Sequence, residues 1–433
     1  MIVIVYSETY RGILDTQLGE SEYSYYFVLK EFRPVLERMG IVVAIADPAH
    51  EVDAIQRSAA AHGESCIFLS FAPPHQTVIG LDCPTVPIFA WEFDTLPTEV
   101  WGNEPRNDWR VTLGRLGRGI THSNFSVATV KAAMGADFPI VAIPAPVWDR
   151  FDALRRKIPA QPICPGVDLS VAGAVVDTAA PDFDPARRMI PEATDVPYRI
   201  HLDGVIYCSV FNSQDGRKNW HDMLCGFCLE FRDDPDATLI FKLTHHDPKL
   251  AFEHMMETLY RLSPFKCRVL LIQGYLEDTD YEKLVGATSF AVNASAGEGQ
   301  CLPLMEFMSA GKPSIAPRHT ALLDYLTDHN SFPVATSLEP CHWPHDLRQA
   351  FRAHKHRIDF ASLMRAYRAS YSVAKSDPDR YRSMSDSANR DLKAFCSQEL
   401  VERRLRDFLG MSSEPAQGEN AGNIRRAEVS NAG

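Results

Sequence analysis

Several features that mark other classes of protein are missing from this sequence. No apolar run approaches the roughly 18–20 residues that a membrane-spanning helix needs. Acidic residues outnumber lysine and arginine, and the net charge of −12 gives no overall attraction to nucleic acid or to an anionic membrane. No G-x-G-x-x-G follows the first strand-like run or any other, which argues against a dinucleotide-binding oxidoreductase. Met1–Tyr6 runs directly into a strand-like stretch without a charged leader, so we expect a cytoplasmic protein rather than a secreted one.

The cysteines give no sign of a metal site. Cys225 and Cys228 form a C-x-x-C, but they lie in a helical pattern, and no second pair stands at zinc spacing. The ten cysteines are spread through strand-like and helix-like segments, which is typical of reduced thiols in a cytoplasmic chain of this size. Core packing is the predicted role of Cys225 and Cys228. For the chain as a whole we predict no metal ligands and no cofactor.

The bulk composition describes a soluble globular chain. Hydrophobic residues make up 45% of its 433 residues and charged residues 23%. This length exceeds one ordinary core and predicts two domains with extensions. The segment 410–433 is polar and without periodicity, and is predicted to be disordered.

Short apolar runs alternate with helical patterns twice along the chain. This alternation predicts an α/β fold with two doubly wound, Rossmann-like domains that face a cleft. We place the first domain at 1–157, a Pro-rich insertion and hinge at 158–198, and the second domain at 199–375. Terminal helices at 376–409 would return to the first domain. The chain past Asp346 is read as mostly helical, with Tyr381–Leu409 as one long helix. The predicted strands are Ile2–Tyr6, Ile41–Ala46, Cys66–Phe71, Val86–Trp91, Gly119–His122, Ile140–Ile143, Val167–Asp177, Val205–Phe211, Leu239–Leu243, Val269–Ile272, Phe290–Asn293, Ser314–Ala316 and Phe332–Val334.

One stretch, 295–317, organises the second half. A buried strand is followed by a glycine-containing loop, and Pro303 and Gly311 then mark the start and end of a short helix. The helix is apolar almost all round, yet it carries Glu306, eight residues after Glu298. A buried carboxylate costs several kcal/mol unless something specific binds it, so a hydroxyl-rich ligand is the better explanation. The N-terminus of such a helix also suits a phosphate.

Glu298-x7-Glu306 followed by Gly311-Lys312-Pro313 resembles the signature of the nucleotide-sugar glycosyltransferases of GT-B architecture, the retaining "group 1" (family 4-like) type. The resemblance implies that Glu306 binds the ribose hydroxyls of the donor and Glu298 those of the transferred sugar. Backbone amides of Gly299, Gln300, Cys301 and Leu302 would meet the diphosphate. Retention of configuration would require no dedicated carboxylate base.

Breaking the glycosidic bond puts negative charge on the distal phosphate, and this charge must be met by a metal, by cations or by a helix terminus. Arg217 and Lys218 follow the strand-like run Val205–Phe211 and resemble the Arg/Lys pair of this family. We therefore assign Arg217, Lys218 and Glu298 to catalysis. Lys242 is a weaker second cation, or the partner of a core carboxylate.

Four more residues are assigned to the donor by their position. Gly274 and Tyr275 match the place where relatives hold the nucleobase, and His319 and Thr320 replace glycines near the donor sugar, although they could equally cap a helix. Asp278-Thr279-Asp280 could suggest a metal-dependent transferase of GT-A type. We reject it, because a capping box, Thr279 to Glu282, accounts for the acidic residues.

Loops after the strands of the first half carry the acceptor-side candidates, since ligands bind at strand C-termini in such sheets. They are Gly12, His75, Glu92 and Asp94, with Glu92 near the place where relatives commonly carry a histidine. His75 could also be scaffold, and Glu92 and Asp94 a helix-capping turn. The four arginines from Arg106 to Arg118, with Arg150, Arg155, Arg156 and Lys157 further along the chain, would form a surface for membrane or a lipid-linked acceptor, or simply a solvated helix face.

The resemblance implies a glycosyltransferase that moves a hexose-type sugar from a nucleoside diphosphate to a glycan or lipid-linked acceptor without a metal. A GT-B sugar-nucleotide epimerase and an inactive GT-B binding module are the alternatives. The expected partners are a nucleotide sugar and a glycan, with no nucleic acid and with peripheral contact at the inner face of the membrane.

Overall fold

The computed structural model describes residues 1–8, 23–245 and 247–411. Gly12 and the tail beyond residue 411, which the sequence predicts to be disordered, lie outside these ranges.

The first half forms one parallel sheet. Its six strands, β1 to β6, run in the order β2-β1-β3-β4-β5-β6. Helix Pro48–Ala61 packs on one face through Val52, and helix Tyr23–Met39 packs on the other through Phe32 and Leu36. The apolar runs thus predicted these strands because both faces of the sheet are covered. The strands are Ile2–Tyr6, Ile41–Ala44, Cys66–Phe71, Thr85–Phe89, Gly119–Thr121 and Ile140–Ala142. The helices are Tyr23–Met39, Pro48–Ala61, Trp109–Leu116, Asn124–Met134 and Trp148–Lys157.

The second half forms a seven-stranded sheet in the order β13-β12-β11-β8-β7-β10-β9, with β8 also paired to β9. All its pairings are parallel except those of β7, which runs antiparallel to β8 and β10. The segment 158–198 thus supplies a strand to this sheet, in the region where the sequence predicted a strand pair. The strands are β7 Cys164–Asp177, β8 Thr194–Phe211, β9 Ala237–Leu243, β10 Arg268–Gln273, β11 Phe290–Val292, β12 Ser314–Pro317 and β13 Ser331–Val334. The helices are Trp220–Glu230, Pro248–Leu262, Asp278–Ala287, Leu302–Ser309 and Phe360–Ser376.

A hairpin follows the second sheet, and here the sequence prediction is wrong. Strands β14, Thr336–His342, and β15, Phe351–Ile358, pair antiparallel, whereas the chain past Asp346 was predicted to be mostly helical. The hairpin buries Cys341 and Ala353 in the core that includes the first sheet. It therefore links the two halves, and helical structure resumes only at Phe360.

The chain ends on two helices, Pro378–Cys396 and Gln398–Leu409. The single helix predicted over Tyr381–Leu409 is wrong, because the chain turns to an extended conformation at Ser397. Both helices do return to the first domain. The Trp148 indole donates to the Asn389 carbonyl at 2.9 Å, and Arg38 pairs with Glu402 at 2.6 Å.

Within the described ranges, none of the helices combines the length and the apolar character that crossing a bilayer would require. The ten cysteines all lie in these ranges as free thiols.

Candidate active site

Three neighbouring parallel strands of the second sheet, β8, β11 and β12, end at the same edge. The loops and the short helix that follow them carry the predicted catalytic residues and most of the predicted donor-binding residues, because the carboxyl ends of parallel strands form the ligand crevice of an open sheet. The loops are also joined directly, since the Ala296 amide donates to the Arg217 carbonyl at 2.7 Å. The loop after β4 of the first sheet faces them and supplies Glu92. The C-terminal edges of the two sheets therefore face each other across one cleft, as predicted.

Lys218 and Glu298 form the centre of this cluster. The Lys218 ammonium donates to both Glu298 carboxylate oxygens at 2.9 Å. Ser295 and Asn293 donate to the same carboxylate, at 2.5 and 2.9 Å. Burial opposes the charged form of Glu298, but the ammonium and these hydrogen bonds outweigh it and lower its pKa to about 2. Glu298 is consequently a fixed anion at neutral pH.

The loop that carries Glu298 is held by residues assigned to the donor. Thr320 accepts a hydrogen bond from the Glu298 amide at 3.0 Å, and its backbone has a φ of 45°. His319 contacts the Ser295 carbonyl at 2.9 Å and stacks on His356 of the hairpin at 4.2 Å. Burial and the neighbouring His356 lower the pKa of His319 to about 4, so its ring is neutral. The contacts of both residues thus place and stiffen the Glu298 loop, and His319 flanks the short helical turn that begins at Thr320.

Arg217 lies beside Lys218 but is paired differently. Its guanidinium contacts both oxygens of Asp215, at 3.1 and 2.8 Å. It also donates to Glu92 of the first domain. The sequence placed Glu92 on the acceptor side, and the structure brings it to the predicted diphosphate cation instead.

Cys301, which has a left-handed backbone, directly precedes the short helix Leu302–Ser309, and Pro303 lies in the first turn of that helix. Gly311 follows the helix with a φ of 78°. These features agree with the predicted boundaries. Leu302 is half-buried. Gly299 packs against Ala90, and the Gln300 side chain accepts from the Ala145 amide at 3.1 Å, so this loop contacts the first domain.

Glu306 is half-buried on this helix, and its carboxylate lies within electrostatic reach of Arg150 and Lys30 of the first domain. Tyr281 donates to its carboxylate at 2.5 Å. Burial raises the pKa of Glu306, although Tyr281 and Arg150 oppose that change. Glu31 of the first domain lies close enough that burial and the Glu306 charge together raise the pKa of Glu31 to about 7. The carboxylate is therefore in the cleft between the domains, where the donor hypothesis requires it.

Arg150 is the principal cation around these carboxylates. It lies 3.7 Å from Glu31, 3.2 Å from Asp278 and 3.6 Å from Glu282. Sequence reasoning missed Glu31 and Tyr281 and saw Arg150 only as part of a basic surface. A glutamate next to a lysine on an amphipathic helix and a tyrosine in an acidic helix carry no sequence signal for a site.

The capping box predicted at Thr279 is wrong. The predicted cap would start the helix at Asp280, but helix Asp278–Ala287 begins two residues earlier, and Glu277 precedes it without a side-chain cap. Asp278 pairs with Lys30 at 3.0 Å and Asp280 with Lys283 at 2.8 Å. Ion pairs rather than capping thus account for the acidic residues. Among the described residues, no group of three or more His, Cys, Asp or Glu side chains is arranged to hold a metal ion.

The other donor-side candidates lie nearby but do not join the cluster. Lys242 is buried, donates to the Leu243 carbonyl at 3.4 Å and has its pKa lowered to about 8 by burial. No carboxylate in the described ranges forms an ion pair with it. Tyr275 is half-buried after β10, and burial raises its pKa. Gly274 has a φ of 139°, and a Cβ there would lie 2.7 Å from the Ala172 carbonyl oxygen, which is a packing constraint.

The acceptor-side candidates separate into two places. Asp94 accepts from the backbone amide and the ring of His354 in the hairpin, both at 2.8 Å. His75 stacks on Trp109 at 5.7 Å. It lies at a cavity of about 340 Å³ in the first domain, and neither Glu92 nor Asp94 lines this cavity. The cavity is lined by Tyr6, Glu8, His75, Gln76, Glu104 and Arg106.

The basic run near helix Trp109–Leu116 is partly neutralised. Arg106 pairs with Glu104 at 3.1 Å and Arg110 with Asp108 at 2.7 Å, while Trp109 is buried. These ion pairs favour the solvated-face interpretation for Arg106 and Arg110.

No protein-family model and no curated protein matches the chain by sequence. Its structure is similar to solved glycosyltransferase structures. Sucrose-phosphate synthase from Thermosynechococcus elongatus is 12% identical, with 95% of this chain and 100% of that chain covered and a TM-score of 0.54. A glycosyltransferase from Rickettsia africae is also 12% identical, with 95% of this chain and 99% of that chain covered and a TM-score of 0.53. HepE from Anabaena, in complex with UDP and glucose, is 12% identical, with 95% of this chain and 99% of that chain covered and a TM-score of 0.52. At this identity the likeness concerns the fold, and the chain has the GT-B fold that the sequence predicted.

Proposed function

We propose that the protein is a glycosyltransferase that moves a sugar from a nucleoside-diphosphate sugar to a glycan or lipid-linked glycan. The observation that carries this proposal is the Lys218–Glu298 pair at the cleft edge of the second sheet. Glu298 lies in the loop before helix Leu302–Ser309, and this helix carries a second carboxylate, Glu306, in the same cleft. HepE, which shares the fold, was crystallised with UDP and with UDP-glucose.

The ribose, the diphosphate and the transferred sugar of a sugar nucleotide each have a candidate partner in this cleft. Glu306, held by Tyr281, is a hydrogen-bond acceptor for a ribose diol. Arg217, Lys218 and the amides at the start of helix Leu302–Ser309 are the donors for a diphosphate. Glu298, ionised at neutral pH, accepts from hydroxyls of the transferred sugar.

The arrangement can stabilise the leaving diphosphate without a metal. Negative charge grows on the distal phosphate as the glycosidic bond breaks, and Lys218 is a point charge placed to meet it. We propose retention of configuration, with the leaving phosphate oxygen taking the acceptor proton on the same face. A cytoplasmic location and a peripheral membrane contact are further parts of the proposal.

The decisive experiment begins with a thermal-shift screen of UDP, GDP, ADP and the corresponding monophosphates, because a ligand stabilises the fold that binds it. The sugar nucleotides of the stabilising base are then incubated with glycan extracts, with and without EDTA, and the anomer formed is read by NMR. We expect one base to stabilise the protein, and transfer that EDTA leaves unchanged.

Four results would count against the proposal. A sugar nucleotide consumed without any acceptor would favour the epimerase, and binding without turnover would favour the inactive module. A strict need for a divalent metal would refute metal independence. If none of the nucleotides stabilises the protein, the donor assignment fails.

A further inference from the structure

The predicted diphosphate cations are already neutralised in this structure. Lys218 is paired with Glu298, and Arg217 with Asp215 and Glu92. Two cations thus face three carboxylates, so the cluster carries a net charge of −1. A diphosphate would be repelled by this arrangement unless one of the carboxylates moved away.

Glu92 differs from the other two carboxylates. Asp215 lies two residues from Arg217 in the same loop, and Glu298 is fixed by three side chains. Glu92 comes from the opposite domain, and its side chain is only 11% exposed. It is therefore the carboxylate that can leave Arg217 by a relative movement of the domains.

The loop around Glu92 also packs against the two glycines that flank Glu298. A Cβ added to Gly299 would lie 2.7 Å from the Ala90 side chain and 3.2 Å from the Trp91 amide. One added to Gly297 would lie 3.4 Å from the Glu92 carbonyl oxygen. The two loops are thus in direct contact on both sides of Glu298, and separating them would release Glu92 from Arg217 at the same time.

We propose that the Glu92 carboxylate occupies the diphosphate subsite on Arg217 and is displaced by the donor. This inference rests on the proposed function. The carboxylate and the phosphate compete for the same planar guanidinium fork, and a diphosphate offers more charge and more acceptor oxygens than one carboxylate. Glu92 thereby sets how tightly the cleft binds a diphosphate, and it links release of that contact to opening.

The test uses Glu92→Gln, which removes the charge and keeps the size of the side chain. Binding of inorganic pyrophosphate, which needs neither base nor sugar, is measured by calorimetry on the full-length protein at low ionic strength. We expect the Kd of Glu92→Gln to be lower than that of the wild type by roughly tenfold or more. The matched control is Glu99→Gln. Glu99 also pairs across the domains, with Arg348 and Arg352 at 2.8 and 2.5 Å, but does not contact Arg217.

A second variant keeps the test specific to the guanidinium. In an Arg217→Met background, Glu92→Gln should change the pyrophosphate Kd less than twofold, because the contact it relieves is gone. Equal effects of Glu92→Gln and Glu99→Gln, or an unchanged or weaker affinity in Glu92→Gln, would overturn the inference while leaving the proposed function intact. Absence of binding by the wild type and by Glu92→Gln, for pyrophosphate and for every nucleoside diphosphate, would refute both.

Discussion

The ammonium of Lys218 lies 2.9 Å from each carboxylate oxygen of Glu298, although the two residues are 80 positions apart. Their side chains are 19% and 5% exposed. This buried pair joins the loop after β8 to the loop after β11. It therefore fixes the geometry of the candidate site before any ligand is present.

Replacing Lys218 by Met should lower kcat for sugar transfer by roughly a hundredfold or more, the scale observed when a group that stabilises transition-state charge is removed. The physical reason is that the leaving diphosphate loses its point charge. Steady-state kinetics on folded protein, verified by circular dichroism, measures the effect. Lys249→Met is the control, since Lys249 is exposed on a helix of the same domain. A kcat within threefold of wild type for Lys218→Met would contradict the assigned role.

Replacing Glu31 by Gln should stabilise the protein at high pH. Burial and the Glu306 charge raise the pKa of Glu31 to about 7. Between pH 4.5 and 7 the folded protein holds a proton that the unfolded chain has released, so the stability contributed at this site falls as the pH rises. Above pH 7 the charged Glu31 lowers the free energy of unfolding by its full amount, at most about 3 kcal/mol.

Urea unfolding at pH 4 and pH 8 measures this effect. Glu31→Gln should match the wild type at pH 4 and exceed its free energy of unfolding at pH 8. Glu37→Gln, on the same helix with a side chain 52% exposed, should stay within about 0.5 kcal/mol of the wild type at both values. A loss of stability in Glu31→Gln at pH 8 would show that its charge is favourable in the folded protein.

The sequence predicted the sheets well because a strand that is buried on both faces has a continuous apolar sequence. Strand β9 is buried throughout and β3 at every residue but the first, and the predicted runs fall within them. β13 contains Pro333, but it lies at the edge of its sheet, where a proline is tolerated. The loops after β8 and β11 were found because their residue types follow a known signature.

The hairpin and the contacts between domains were not predictable in the same way. β15 is half-exposed and rich in histidine, arginine and lysine, so its sequence lacks the alternation of a strand with one buried face. Glu92 was read as an acceptor-side residue, since nothing local shows that a loop from the other domain meets Arg217. Such cross-domain pairings depend on how two folded units dock, and a linear pattern does not encode that.

Replacing Tyr281 by Phe should weaken donor binding. The tyrosine hydroxyl donates to Glu306 at 2.5 Å and orients the carboxylate that we assign to the ribose. A hydrogen bond to a charged group contributes about 1.5–3 kcal/mol, so we expect the KM for the sugar nucleotide to rise roughly tenfold with little change in kcat. Tyr260→Phe, an exposed tyrosine on helix Pro248–Leu262, is the matched control. A fall in kcat without a change in KM would place Tyr281 in the chemical step instead.

Replacing Gly274 by Ala separates a packing role from the predicted role at the nucleobase. The backbone has a φ of 139°, and the new Cβ would lie 2.7 Å from the Ala172 carbonyl oxygen, so β7 and β10 must move apart. We expect a loss of roughly 2–3 kcal/mol in the free energy of unfolding, from backbone strain and overpacking. Gly114→Ala is the control, because Gly114 lies in helix Trp109–Leu116 with a Met134 atom 4.0 Å from its Cβ position, and alanine is favoured over glycine in a helix. Denaturant unfolding and donor affinity are measured together. Reduced affinity for the nucleoside diphosphate at unchanged stability would support the predicted role of Gly274 at the nucleobase. Reduced stability alone would show that Gly274 serves the packing of β7 against β10.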